Sequence, residues 1–265
     1  MFSFFVVLAW VRPLPRPRRV KVTAIGVAGT LLVLGAFMLP RVVAPLAASV
    51  VRDWLPAALI MLVYWQAGAF FLRIDQHFQD RLERLDERIA GPVLRWIARR
   101  RARVWIAWYL ELAYLFCYPM IPMSLGALYL LRLARHADHF WTVVLIPTYI
   151  SYGLVPFLQA LPPRMLDEPW LVPLPPTPVR RFNLWILRHG SIHANTFPSA
   201  HVAAATAAAL VLASLAPWSV ALLFAVIAFG IGIATFAGRY HYAADSIIAS
   251  LMAGAVFLVE MWMRS

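Results

Sequence analysis

Long apolar runs separated by shorter polar ones dominate this chain, and seven of them approach the ~20 residues a bilayer-spanning helix needs. They fall at 22–40, 55–72, 104–131, 140–161, 198–216, 219–238 and 241–263. The third is long and holds Pro119 and Pro122, so a kink or a strong tilt is expected within it. Met1–Trp10 is also apolar, but the basic cluster Arg12, Arg16, Arg18, Arg19 and Lys21 follows it instead of preceding it. That order, without a small-residue cleavage pattern, predicts a retained interfacial tail and not a cleaved signal peptide. No solenoid-type repeat is visible. The pattern predicts an all-α, polytopic transmembrane helix bundle of six or seven spans. Residues 1–103 would supply the tail, two spans and a surface helix, and 104–265 the main membrane domain.

Two polar stretches break the pattern. Within 73–103, Ile74, Phe78, Leu82, Leu85, Ile89, Val93 and Trp96 recur at three- and four-residue steps among Arg, Asp and Glu. This spacing predicts an amphipathic helix on the membrane surface, broken near Gly91-Pro92. A solvated charged face accounts for the acids; the Arg99, Arg100, Arg101 and Arg103 cluster abuts a span and reads as an anchor. The second stretch, 162–178, has prolines at 162, 163, 169, 173, 175, 176 and 178 and predicts a semi-rigid extended loop. It leads into Arg180, Arg181 and Arg188 and then the polar run His189–Thr196, where a site at the mouth of apolar helices is expected.

Composition sharpens the class. The chain is 62% hydrophobic and 14% charged, with a mean hydropathy of +0.73. Ordinary soluble domains carry about a quarter charged residues, so a soluble core of this kind is excluded. The net charge of +12 sits between apolar spans, which points to topology and anionic headgroups and away from nucleic acid. The lone Cys117 lies in an apolar run, excludes an intramolecular disulfide and reads as a packed thiol.

Two segments carry chemistry. Asn195-Thr196-Phe197-Pro198-Ser199-Ala200-His201 opens an Ala-rich helix, with Thr196 as a possible cap and Pro198 tolerated in the first turn. Unpaired N–H groups and the positive dipole end make a helix N-terminus a seat for phosphate. Ser199 adds a hydroxyl, and His201 falls within the first turn. Two spans later, Asp245 follows His241 by four residues, which on a helix places both on one face. A carboxylate on one ring nitrogen leaves the other free to attack. Arg239 can hold phosphate oxygens in a fork. Because one span leaves His201 and the next returns, His241 is expected on the same membrane face, together with Arg164.

Blander readings stand beside these. A membrane histidine is often an interhelical hydrogen-bonded residue, and His241 with Asp245 can be a buried structural pair. His201, His241 and Asp245 are also possible zinc ligands, but Arg164 and Arg239 beside a cation would oppose binding and favour an anion. His189 and His193 read as loop residues. Glu111, within the third span, calls for either a function or a structural hydrogen bond to a neighbouring helix.

With these residues on the page, a resemblance emerges. Phe197-Pro198-Ser199-Ala200-His201 followed by Gly238-Arg239-Tyr240-His241-Tyr242-Ala243-Ala244-Asp245 resembles the type 2 phosphatidic acid phosphatase superfamily. Its pattern is Pro-Ser-Gly-His, then Ser-Arg-x5-His-x3-Asp, after a basic motif ending Arg-Pro. The resemblance covers about 162–250. It implies a metal-independent phosphatase without cofactor, acting on a lipid phosphate or pyrophosphate. His241 would be the nucleophile, Asp245 its orienter and His201 the general acid. Arg164, Ser199 and Arg239 would bind phosphate.

The chain departs from the pattern at three places. Ala200 stands for the Gly, Thr235 occupies the Arg position six before His241, and the early motif is reduced to Pro162-Pro163-Arg164. Arg239, two before the histidine, resembles the branch that includes inositol phosphorylceramide synthases. That branch implies the alternative of a phosphotransferase with a lipid or polyol hydroxyl as acceptor. A non-catalytic membrane scaffold with a degraded phosphate site, and a metal-dependent hydrolase, are the remaining rivals.

The expected location is a bacterial cytoplasmic (inner) membrane. The basic residues of 12–21 and 73–103 would both be cytoplasmic by the positive-inside rule, and counting seven spans forward then places the catalytic face there too. Bacterial members of the resembled family generally place theirs outside. A re-entrant segment within 104–161 would reconcile the two.

Overall fold

The computed structural model describes residues 1–99, 103–166 and 175–264, and helix is the only regular structure longer than a turn among them. In chain order the helices are α1 (Phe2–Val11), α2 (Arg16–Met38), α3 (Pro45–Gly68), α4 (Gln76–Ile89), α5 (Gly91–Ala98), α6 (Arg103–Leu115), α7 (Met120–Leu130), α8 (Ala137–Leu154), α9 (Pro178–Gly190), α10 (Ala200–Leu215), α11 (Trp218–Ala237) and α12 (Ala243–Arg264). The all-α expectation holds for these residues.

Four helical stretches are long and apolar enough to cross a bilayer: Arg16–Arg41, Pro45–Gly68, Trp218–Ala237 and Ala243–Arg264. The expected third span is broken as its prolines predict. Its halves, Val104–Leu115 and Met120–Leu130, meet at 67° around Pro119, the geometry of a broken span or a re-entrant loop. Counted as one crossing, the bent pair makes a fifth, so the count by length and composition among the described residues is below the six or seven expected. The difference lies in 140–161 and 198–216. The first is α8, which opens on Asp138 and His139, and the second is α10, only 16 residues or about 24 Å long.

That short helix is the centre of the bundle. α10 packs against α7, α8, α11 and α12, and its run of buried alanines lets those neighbours approach closely. Outside this core, the expected interfacial tail forms α1 and packs on the bundle. Phe5 and Ala9 are fully buried against α2 and α3, and Gly26 and Gly29 of α2 leave room for Val6 and Phe2 where a Cβ would collide.

The amphipathic stretch forms α4 and α5, with the break at Gly91-Pro92. Asp75 caps α4 by accepting the Phe78 N–H at 3.1 Å. Leu85, Ile89, Val93 and Trp96 are exposed along one side, whereas Gln79, Leu82 and Asp86 are buried on another. The acids are therefore not all solvated. Arg100 and Arg101 of the expected anchor, and 167–174 of the proline-rich loop, lie outside the described residues. The described parts of that loop hold a short 3-10 turn at Pro163–Met165 and end at α9. There Pro178 takes the first helical position and Thr177 accepts the Arg180 N–H at 3.0 Å. The proline-rich pattern before it does not predict this helix.

The basic N-terminal cluster and the polar loops share one end of the bundle. Arg12 donates to the Pro156 carbonyl at 2.7 Å and Arg18 to that of Phe71 at 2.5 Å. The chain leading into α4 is tied to the end of α8 through Gln159, whose side chain and carbonyl accept the Leu72 and Asp75 N–H groups.

Candidate active site

The site is assembled at that end from three segments. The Ser199 side chain, not that of Thr196, caps α10, accepting the Val202 N–H at 3.5 Å, while Thr196 Oγ1 accepts the Ala200 N–H at the same distance. The helix starts one residue after the cap, so Pro198 lies outside it. This puts His201 in the first turn, pointing toward the α11–α12 turn.

That turn carries His241. The residue lies ahead of α12, so its pairing with Asp245 is made by a turn folding back on the first helical residues and not by two positions of one helix. His241 Nδ1 and Asp245 Oδ2 are 3.1 Å apart. The same carboxylate oxygen accepts the Asn195 side-chain N–H at 2.9 Å and the Tyr242 N–H at 3.1 Å. An acceptor held this firmly selects the Nδ1–H tautomer and leaves the lone pair on Nε2. Thr235, where the resemblance leads one to look for arginine, turns its hydroxyl to the Ile231 carbonyl. Its own carbonyl accepts the N–H groups of Tyr240 and His241 at 2.9 and 3.0 Å. Burial, reinforced by the charge of Arg164 and only partly opposed by a hydrogen bond to the Thr196 backbone, pushes the His241 imidazole down to about 3.

The expected convergence is present. The rings of His201 and His241 lie 6.2 Å apart, centroid to centroid. Arg164 donates its backbone N–H to the Arg239 carbonyl at 2.8 Å and its guanidinium to the Tyr240 carbonyl at 3.2 Å. Together with Tyr64, Tyr114, Tyr152 and Thr196 these three side chains enclose a cavity of about 20 Å³, room for one water-sized group. Among the described residues, no three His, Cys, Asp or Glu side chains are grouped as a metal-binding set.

Arg239 is adjacent but differently engaged. Its backbone is left-handed (φ 64°), and its guanidinium meets Asp86 of α4 at 2.5 Å instead of lining the cavity. Glu111 has the structural role that was one of its two expected readings. It accepts from Arg180 at 2.7 Å, from Asn183 at 2.9 Å and from the Tyr240 hydroxyl at 2.5 Å, and so ties α6 to α9 and to the turn that carries His241. His189 bonds the Trp185 carbonyl, and His189 and His193 are both on the exterior.

Several contributors went unnoticed in the sequence. Tyr114 stacks on Tyr240 at 3.5 Å and presents its edge to His201, as Tyr118 does. Glu111, Tyr114 and Tyr118 recur at helical spacing, so polar groups on one stripe of a span were the available signal for an interior face. Tyr64, Asp86 and Gln79 had no such marker.

No curated protein and no solved structure matches the chain significantly. The sequence model of the PAP2 superfamily does match, over residues 80–259, a stretch that takes in most of α4, the broken span, both histidine segments and nearly all of α12. With two thirds of its length aligned to that family, the chain belongs to the PAP2 superfamily, and it is a helical membrane protein of that group.

Proposed function

We propose that the chain is a metal-independent phosphatase acting on lipid phosphates or pyrophosphates through a phosphohistidine at His241. The observation that carries this reading is His241, held by Asp245 and lining one cavity with His201 and Arg164. His241 Nε2 attacks phosphorus as the bond to the lipid oxygen breaks, and His201 gives a proton to that oxygen. Burial, His241 and Arg164 hold the His201 imidazole down to about 3, so it takes up this proton only when the charge of the bound phosphate favours its protonated form. Water then attacks phosphorus with His201 as base, the P–N bond breaks, and phosphate leaves with His241 neutral again. Arg164 and the Ser199-capped end of α10 offset the charge on the transferring group. A phosphoryl group exceeds the present cavity, so binding has to spread Arg164 and the surrounding tyrosines outward.

A second reading, a phosphotransferase of the kind suggested by the inositol phosphorylceramide synthase resemblance, has its own support. Among the described residues, Arg164 is the one guanidinium lining the cavity, Arg239 being paired with Asp86. A single cation matches a singly charged phosphodiester better than a doubly charged monoester. A lipid or polyol hydroxyl then replaces water in the second step.

The test is turnover of phosphatidic acid and of a prenyl pyrophosphate by purified protein. His241→Ala should abolish phosphate release and His201→Ala should lower it by about 10²- to 10⁴-fold. Undiminished release by His241→Ala would refute the assignment. With a phosphodiester lipid as substrate, loss of the lipid alcohol and transfer of the phosphoryl-headgroup only when a hydroxyl acceptor is added would select the transferase.

A further inference from the structure

The amphipathic helix α4 touches the catalytic turn on both sides of His241. Asp86 is fully buried. Its Oδ2 accepts from the Arg239 guanidinium at 2.5 Å, and its Oδ1 accepts the backbone N–H of Ala243, the first residue of α12, at 2.7 Å. Two helical turns earlier on the same face, Gln79 donates to the Tyr242 hydroxyl at 2.5 Å and accepts the Leu161 N–H at 2.8 Å. The residues gripped, 239, 242 and 243, flank position 241, while Leu161 leads into Arg164.

This arrangement does more than dock a surface helix. The N–H groups that open a helix lack partners inside it and favour a negative charge. Asp86 supplies both acceptor and charge to α12 from another element. Arg239 sits in a left-handed conformation that a non-glycine residue keeps only where its surroundings over-determine it. The short pair with Asp86 provides that constraint through the side chain, and the Arg164 N–H bonded to its carbonyl provides it through the backbone.

We propose that Asp86 is a positioning residue for the reaction. By clamping Arg239 and the first N–H of α12, it fixes the turn that aims His241 at Arg164 and His201. This rests on the reading of His241 as nucleophile. In consequence Arg239 acts chiefly as part of the frame and only secondarily, if Asp86 releases it, as a phosphate ligand.

Asp86→Asn separates the two bonds. The amide oxygen can still accept from Ala243, but its NH₂ cannot accept from Arg239. In detergent-purified protein matched to wild type by thermal unfolding, kcat and the single-turnover rate of phosphohistidine formation should fall about 10- to 100-fold, with KM within about threefold, as expected for a displaced reacting group. Arg239→Lys keeps the charge pair but loses the fork and should show a smaller loss with the same split. It also serves if Asp86→Asn does not fold. Adding Arg239→Gln to Asp86→Asn should cost little more, since both break one link. Wild-type kcat in folded Asp86→Asn, a loss that merely tracks the folded fraction, or a raised KM with unchanged kcat in Arg239→Lys would overturn the proposal. Failure of the underlying reading looks different: wild-type protein itself would then turn over substrate without forming phosphohistidine.

Discussion

At the residue scale, the account turns on a histidine kept neutral. Burial and Arg164 hold His241 near 3 in the folded protein, against an ordinary value of 6.5. Between those two values the unfolded chain binds a proton that the folded chain does not, so stability is fully present above about pH 6.5 and declines as pH falls toward 3. His241→Gln cannot titrate there. Thermal unfolding followed from about pH 7 down to about pH 4.5 should therefore show a smaller loss for His241→Gln than for wild type. Parallel curves would mean that His241 is not held neutral. The histidines, Asp245 and Arg164 were legible because each stands out chemically against an apolar background. Asp86 was not, since it lies among Arg, Glu and Asp in a helix that reads as solvated, and only the packing of α4 on the His241 turn distinguishes it from Asp80 or Glu87. The spacing of His241 and Asp245 led to the right contact by the wrong local geometry. A helix and a tight turn can both bring residues four apart together, and the α12 start at Ala243 decides between them.

At the element scale, α10 is the piece on which the rest is built. Its alanines are small because four helices crowd around it, and the close approach places the Ser199 cap and His201 beside the α11–α12 turn. Ala208 is fully buried. Ala208→Leu should overpack this contact and destabilise by about 1–3 kcal/mol. Leu223→Ala, on the exposed side of α11, should change little by comparison. Equal effects in thermal unfolding would argue against a tightly packed central helix. The sequence pattern located most helices, because apolar runs and proline breaks report directly on membrane spans. It overlooked α9, whose helical start is set by Thr177 and Pro178 at the end of a segment that prolines make look extended throughout.

At the scale of the whole molecule, the basic residues and the candidate site share one face. Arg12, Arg18, Arg73, Arg164, Arg180 and Arg239 gather at the end that carries His201 and His241, whereas Arg41, Arg135 and Arg264 belong to helix ends on the other side. The positive-inside rule then predicts a site facing the cytoplasm. With Cys117 buried, Met165→Cys offers an exposed single thiol beside Arg164. A membrane-impermeant maleimide should label it from the cytoplasmic side, in inside-out but not right-side-out vesicles. The reverse pattern would place the site outside and make the basic collar a feature of the opposite leaflet. Span counting could not settle this, because a 67° break within the third apolar run leaves its parity open.

The most direct test of the central claim is to trap the intermediate. Wild-type protein mixed briefly with phosphorus-labelled phosphatidic acid or prenyl pyrophosphate and quenched in alkali should retain label that is lost in acid and maps to His241. His241→Ala should retain none, and His201→Ala should accumulate less because leaving-group departure is slowed. Turnover by the wild type with no acid-labile label, or label that persists in His241→Ala, would contradict the account.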